Sequence, residues 1–382
     1  MTTEETSGRT TPRDDPATTL GTAGGVSALS RAERLSVAAV LVLTILAGVA
    51  HYAGVASLVA FSLAALALAG LAHVVSFATE QVGSRFGAGV TGVLQSTLGN
   101  LPELFVVLFA LHAGEVVVAQ TSIIGSLFAN ALLVLGAVIV VGARVADGPV
   151  MRFRPRLPQD TATLLLVTVF IIVVVGISLA SHDPASGHVG SVSTVAAVAL
   201  LGVYLAWVVP YLRADSAADK PERDLEAEGP LVPLAISVTL LALGGLGAAF
   251  VSDWFVAELR PTIDQLGISE AFAGIVIVAI AGNAVENVAG LVLAAKGKSD
   301  LAISVVKNSV AQIAAFLYPV LVLISLLFAH RLTFALDPVY IGALLMSALA
   351  VWQITGDGEA AAFEGWALIA LYVVLAALTL YE

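Results

Sequence analysis

Residues Gly99 to Glu115 read GNLPELFVVLFALHAGE, and Gly282 to Lys298 read GNAVENVAGLVLAAKGK. At a constant offset of 183 residues, Gly99 pairs with Gly282, Asn100 with Asn283, Glu103 with Glu286, Gly114 with Gly297 and, further on, Ser126 with Ser309. Each stretch carries an amide and a carboxylate three residues apart, on one face of a helix. The surrounding run is otherwise apolar enough for a bilayer's hydrocarbon. An ionisable group in such a run is costly, so it faces a cavity or a partner and marks function.

Outward from these two stretches, the whole chain has the same oily character. Of 382 residues, 59% are hydrophobic and 12% charged, with mean hydropathy +0.98. Soluble domains carry about 25% charged residues. Apolar runs of spanning length are expected at 34–52, 55–79, 86–112, 115–143, 161–180, 190–212, 230–252, 267–296, 299–328, 333–354 and 362–381. The fold class is therefore an all-α polytopic membrane protein of about eleven transmembrane helices. Residues 1–30, polar and without apolar periodicity, read as a disordered tail. Residues 31–54 form a leading helix, 55–212 a first five-helix block, 213–229 an acidic linker and 230–382 a second five-helix block. Six acids against three bases make 213–229 a solvated segment that attracts cations.

Five is odd, so the second block must enter the membrane upside down relative to the first. That is the inverted-topology repeat of secondary transporters, whose substrate site lies at the repeat interface near midplane. Lys and Arg set the orientation: fourteen of the seventeen fall on the N-terminal side, and only Arg260 and Arg331 on the other. The expected placement is the cell membrane, with the N-terminus cytoplasmic and the C-terminus outside.

The chemistry of the two motifs points to a cation. Two carboxylates (Glu103, Glu286) and two amide oxygens (Asn100, Asn283) form a hard oxygen shell that suits Ca2+. Gly99 with Pro102 weakens the first helix and frees backbone carbonyls. Gly282 holds the matching place in the second motif. Burial disfavours a charged carboxylate, so protons compete with the cation for the same oxygens. One Ca2+ or two protons would each neutralise the pair. Polar residues also recur along the next spans: Gln120, Ser122, Ser126 and Asn130 in one, Ser304, Asn308, Ser309 and Gln312 in the other. Singly these are helix–helix hydrogen bonds; as rows facing the motifs they read as walls of a path. Lys307 lies eight residues into its span, either as a coupling element beside Glu286 or as a lysine snorkelling to the surface.

Other functions find little support. With no cysteine there are no disulfides or thiolate metal sites. No H-E-x-x-H zinc motif occurs, and the six histidines have no metal-ligand spacing, so no enzyme is expected. A net charge of −11 argues against a nucleic-acid partner. No cofactor is called for beyond Ca2+ and H+ as transported ions, and the partners are membrane lipids. Glu80 reads as an interface residue, Arg152, Arg154 and Arg156 as headgroup contacts, and Gly356-Asp357-Gly358-Glu359 as a turn. A Na+/Ca2+ exchanger and a passive channel stay open as alternatives.

At these residues the chain resembles the cation/proton exchangers of the Ca2+/cation antiporter superfamily. Ala78-Thr79-Glu80, Gly99-Asn100 with Glu103, and Gln120 to Ser126 with Asn130 are similar to its first-half signature. Gly282 to Glu286, with Ser309 to Gln312, is similar to the second. The resemblance spans almost everything after residue 34. It implies two inverted halves behind a leading helix and Ca2+ efflux driven by the proton gradient. It further implies that Glu103 and Glu286 bind cation and protons, and that Asn100, Asn283, Ser126, Ser309, Gln120 and Gln312 line the path. The chain departs from it at Lys307-Asn308, where the family often has Leu-Gly, and at Asn287, where it often has His.

Overall fold

A computed structural model describes residues 29–83, 85, 94, 98–146, 148–154, 156–217 and 232–382. The side chains of 156–159, 211–217 and Glu286 lie outside that description. So do the expected tail up to residue 28, most of the expected third span before residue 98, and the linker from 218 onward.

The described chain is helical almost throughout. The helices are α1 (Arg31–Tyr52), α2 (Ser57–Gly83), α3 (Leu101–Ala113), α4 (Val116–Val145), α5 (Arg156–Ser181) and α6 (Val189–Ala217). After the linker come α7 (Leu234–Leu266), α8 (Glu270–Gly282), α9 (Ala284–Ala295), α10 (Ser299–Ser325), α11 (Pro338–Thr355) and α12 (Ala362–Leu380). Among the described residues nine are long and apolar enough to cross a membrane, and the bent pair α8–α9 makes a tenth. The expected third span is represented only by the shorter α3.

The span expected over 267–296 is present as the pair α8–α9, bent by 59°. One boundary is corrected. The span expected at 230–252 continues as α7 to Leu266. Its charges at Asp253, Glu258, Arg260 and Asp264 lower the hydropathy, which hides the continuation. Yet Ala248, Val251, Phe255, Leu259 and Ile263 keep one face buried at spacings of three and four. At 1.5 Å per residue, 33 residues reach about 50 Å, so α7 outruns a hydrocarbon layer of about 30 Å.

Packing follows residue size. α2 and α7 run antiparallel, with Phe61 stacked on Phe255 at 4.6 Å, Leu71 against Gly247 and Val75 against Gly244. Small residues let helix backbones approach where lipid offers no hydrophobic drive. α4 and α10, the two helices carrying the polar rows, are also the most enclosed: 89% and 72% of their apolar windows are buried, against 22% for α1. α4 touches α8 backbone to backbone at Gly125, and α12 likewise at Gly136 against Gly365. Both polar helices pass through a π-helical stretch, Ala129–Val134 in α4 and Ile313–Leu317 in α10. Such stretches are rare and cluster at functional sites. These two fall at nearly the offset that relates the motifs.

A short antiparallel pair, β1 (Val150–Arg152) with β2 (Glu359–Ala361), ties the loop after α4 to the loop before α12. Arg152 pairs with Glu359 at 3.3 Å and Arg154 with Asp300 at 3.7 Å. The turn expected at 356–359 leads into β2, and two of the three arginines expected at lipid headgroups, Arg152 and Arg154, pair with Glu359 of β2 and with Asp300 in the first turn of α10.

Candidate functional site

Both Gly-Asn pairs break the helix. Asn100 (φ −86°, ψ 9°) precedes α3 and Asn283 (φ −104°, ψ 12°) precedes α9, and neither side chain caps its own helix. Their amides are thereby directed elsewhere. Pro102 sits in the first turn of α3, where its missing N–H costs nothing. The break therefore belongs to Gly99-Asn100, where the sequence had suggested Gly99 together with Pro102. Glu103 and Glu286 each fall in the first turn of the helix that follows. A helix start presents unpaired N–H groups and a positive dipole end, which favours an anionic side chain there.

The two motifs meet. A Cβ placed on Gly282 would lie 3.9 Å from Glu103 Cβ. Asn283 Nδ2 donates to Ser126 Oγ at 2.8 Å and to the Ala279 carbonyl at 3.0 Å, and Asn130 Nδ2 donates to Asn283 Oδ1 at 3.3 Å. Polar residues of α4, in the first block, thus bond the broken α8–α9 of the second. Asn100, Glu103, Ser126, Asn130 and Asn283 are all 5% exposed or less. Asn130 belongs to the π-helical stretch, which turns its amide toward Asn283. Its Oδ1 is buried and accepts no hydrogen bond among the described residues; the same holds for Asn287 Oδ1 and Thr79 Oγ1. A buried oxygen with no donor is costly in a bilayer. Such acceptors are of the kind that a cation satisfies.

The other expected residues of the two polar rows lie elsewhere on α4 and α10. Gln120 donates to the Ala335 carbonyl at 2.6 Å and lines an outer cavity with Thr121. Ser122 is buried and back-bonded to the Ala119 carbonyl. Ser309 and Gln312 are buried in α10, and Asn308 is half-buried. Lys307 is 2% exposed and donates to Thr355 Oγ1 on α11. It is seated among Ala131, Leu135, Ala162 and Val351, so it does not snorkel to the surface. Glu286 is placed on α9 by its backbone; its side chain lies outside the described residues.

Sequence reasoning gave Thr79 and Asn287 no part in the site. The only signal for either was the signature Ala78-Thr79-Glu80 and the departure at Asn287; an unsatisfied oxygen is visible only once the neighbours are placed. Among the described residues no group of three His, Cys, Asp or Glu side chains is placed to hold a metal ion.

Apolar helices around a buried carboxylate and amides, drawn from both halves at broken helices, define a polytopic membrane transport protein. The profile of the family described as "Sodium/calcium exchanger protein" matches residues 56–211 and 236–381, and the chain belongs to that family. The "Ca(2+)/H(+) antiporter" of Synechocystis sp. is 32% identical over 86% of this chain and 92% of its own length. The "Ca(2+)/H(+) antiporter ChaA" of Bacillus subtilis is 29% identical over 89% of this chain and 96% of its own. The solved structure of native YfkE superposes with a TM-score of 0.75 at 26% identity, covering 91% of this chain and 99% of that one.

Proposed function

We propose that this chain exchanges Ca2+ for protons across the cytoplasmic membrane by alternating access. Glu103 and Glu286 hold either the cation or protons, in turn. The observation that carries this reading is the buried junction of the two motifs, with Glu103 against Gly282 and Asn283 bonded to Ser126 and Asn130. Oxygen donors there are neutral or carboxylate, and among the described residues Asn130 and Asn287 leave carbonyl oxygens unsatisfied. Two Ca2+/H+ antiporters related over most of their length support protons as the counter-ion. The halves 55–212 and 230–382 act as inverted repeats behind the leading helix 31–54. The twofold profile match and the paired helix breaks favour that division. The basic residues crowded on the N-terminal side favour a cytoplasmic N-terminus.

The test is cation-screened uptake into inverted vesicles. With an acid interior, 45Ca2+ should accumulate against its gradient, and collapsing the pH difference should stop it. Uptake that ignores the pH gradient would mean a channel, and uptake that follows a Na+ gradient instead would mean a Na+/Ca2+ exchanger.

Within this reading Lys307 is a coupling element and not a ligand, since an ammonium repels the substrate. Ala131, Leu135, Ala162, Leu165, Val310 and Val351 lie around Lys307 with Thr161, and Thr355 Oγ1 keeps a bond to the Val351 carbonyl at 2.7 Å without it. Lys307→Leu should therefore fold and raise the apparent Ca2+ affinity severalfold in equilibrium 45Ca2+ binding. Unchanged affinity would remove Lys307 from the mechanism.

A further inference from the structure

At the face where α1 ends, a cavity of about 590 Å³ opens between α4, α7, α8, the start of α11 and the end of α12. Thr121 and Ile124 lie at its α4 wall, and Arg260 and Glu270 at its rim. One guanidinium gathers three helix ends there. Arg260 of α7 donates to Glu270, which begins α8, and reaches Glu115, which immediately precedes α4, at 3.4 Å. Asp264, one turn along α7, steadies it from 3.8 Å.

Below this rim the route inward is shut. A Cβ on Gly125 of α4 would lie 2.4 Å from Ile275 Cα of α8, and one on Gly274 would lie 2.0 Å from Thr121 Oγ1. The two backbones touch, and the next residue along α4 is Ser126, where the buried network begins. Parting α4 from α8 would join the cavity to that network. The Glu115–Arg260–Glu270 bridge spans those same two helices.

We propose that Arg260 is a positioning residue for exchange: by bridging Glu115 and Glu270 it holds the α4–α8 seam closed and seals the outer end of the ion path. This rests on the alternating-access reading above. The energetics suit a latch. Arg260 is about half exposed, at 51% of its side chain, and pairs of that kind are weak and screened by salt. A seal that must open in every cycle needs a bridge of that strength, because a strong buried one would hold the transporter in one state.

The natural chain has no cysteine, so Ser126→Cys introduces a single thiol just beneath the seam. A membrane-impermeant maleimide, applied from the cavity's face to the full chain in membranes, reports opening without any ion flux. Labelling therefore stands or falls separately from the exchange reading. Adding Arg260→Gln should speed labelling about three- to ten-fold, as expected for loss of two exposed pairs. Neutralising the partners instead, Glu115→Gln with Glu270→Gln, should do the same. The exchanged pair Arg260→Glu with Glu270→Arg should slow labelling again. Raised salt should speed labelling while Arg260 is present and change little once it is replaced. A thiol at Ile268, already in the cavity wall, should label at one rate throughout. Equal rates at Ser126→Cys with and without Arg260, or an equal rise at Ile268→Cys, would overturn the proposal.

Discussion

Glu103→Gln and Glu286→Gln are each expected to abolish Ca2+/H+ exchange while leaving folded protein in the membrane. Glutamine keeps the shape of the side chain and removes the one feature the site needs from it. Glu103 is 4% exposed and lies against Gly282 of the second motif. At an effective dielectric of about 20, unit charges 4 Å apart interact by about 4 kcal/mol, and a divalent ion doubles that. Loss of one carboxylate therefore lowers Ca2+ affinity by more than about a thousand-fold, even after part of the loss is offset by cheaper burial. Folding should not suffer, since a neutral amide is easier to bury than a carboxylate. The measurement is pH-driven 45Ca2+ uptake normalised to the amount of monodisperse protein extracted from the same membranes. Near-normal uptake in either variant would show that the two motifs are not the site.

The second large effect is on stability. Gly125→Ala should prevent recovery of stably folded protein or lower its detergent melting temperature sharply. The added Cβ would meet Ile275 Cα at 2.4 Å, its carbonyl oxygen at 2.7 Å and its carbonyl carbon at 2.9 Å. All three are backbone atoms, so no side chain can rotate away. The helices must part, at a cost at or above the roughly 1–3 kcal/mol of an overpacked core. Gly202→Ala in α6 is the control, because nothing lies within 4 Å of its added Cβ. There the substitution should be neutral or slightly stabilising through helix propensity. Equal melting temperatures for the two variants would mean that the α4–α8 contact is not tight in solution.

Much of the protein could be read from one dimension. The apolar runs specify spanning helices because a bilayer satisfies backbone polar groups only within a helix. Each Gly-Asn followed by Glu announces a carboxylate inside a span, and Glu103 is buried there. The repeat at a fixed offset linked Glu103 to Glu286 and Ser126 to Ser309 before any coordinates were known. Charge crowding gave an orientation for the same reason: the signal depends on counting residues along the chain.

Other features depended on which residues meet across the fold. That Gly282 faces Glu103, and that Asn130 reaches Asn283, follows from a π-helical stretch and a 59° bend that hydropathy does not register. α7 was read as ending near 252 because averaging over a window cannot distinguish charges on an exposed stripe from the end of a helix. Arg260 counted only as a topology signal until three carboxylates were found around it. Lys307 allowed a snorkelling reading until Thr355, 48 residues away, was placed beside its buried ammonium. The amino-acid sequence by itself determined the helices, their repeat and the charged residues that must be buried, because those depend on local hydrophobicity and spacing. Only the tertiary structure decided which polar groups share a cavity, which oxygens lack a donor and which backbones touch, because these are set by contacts between residues far apart in the chain.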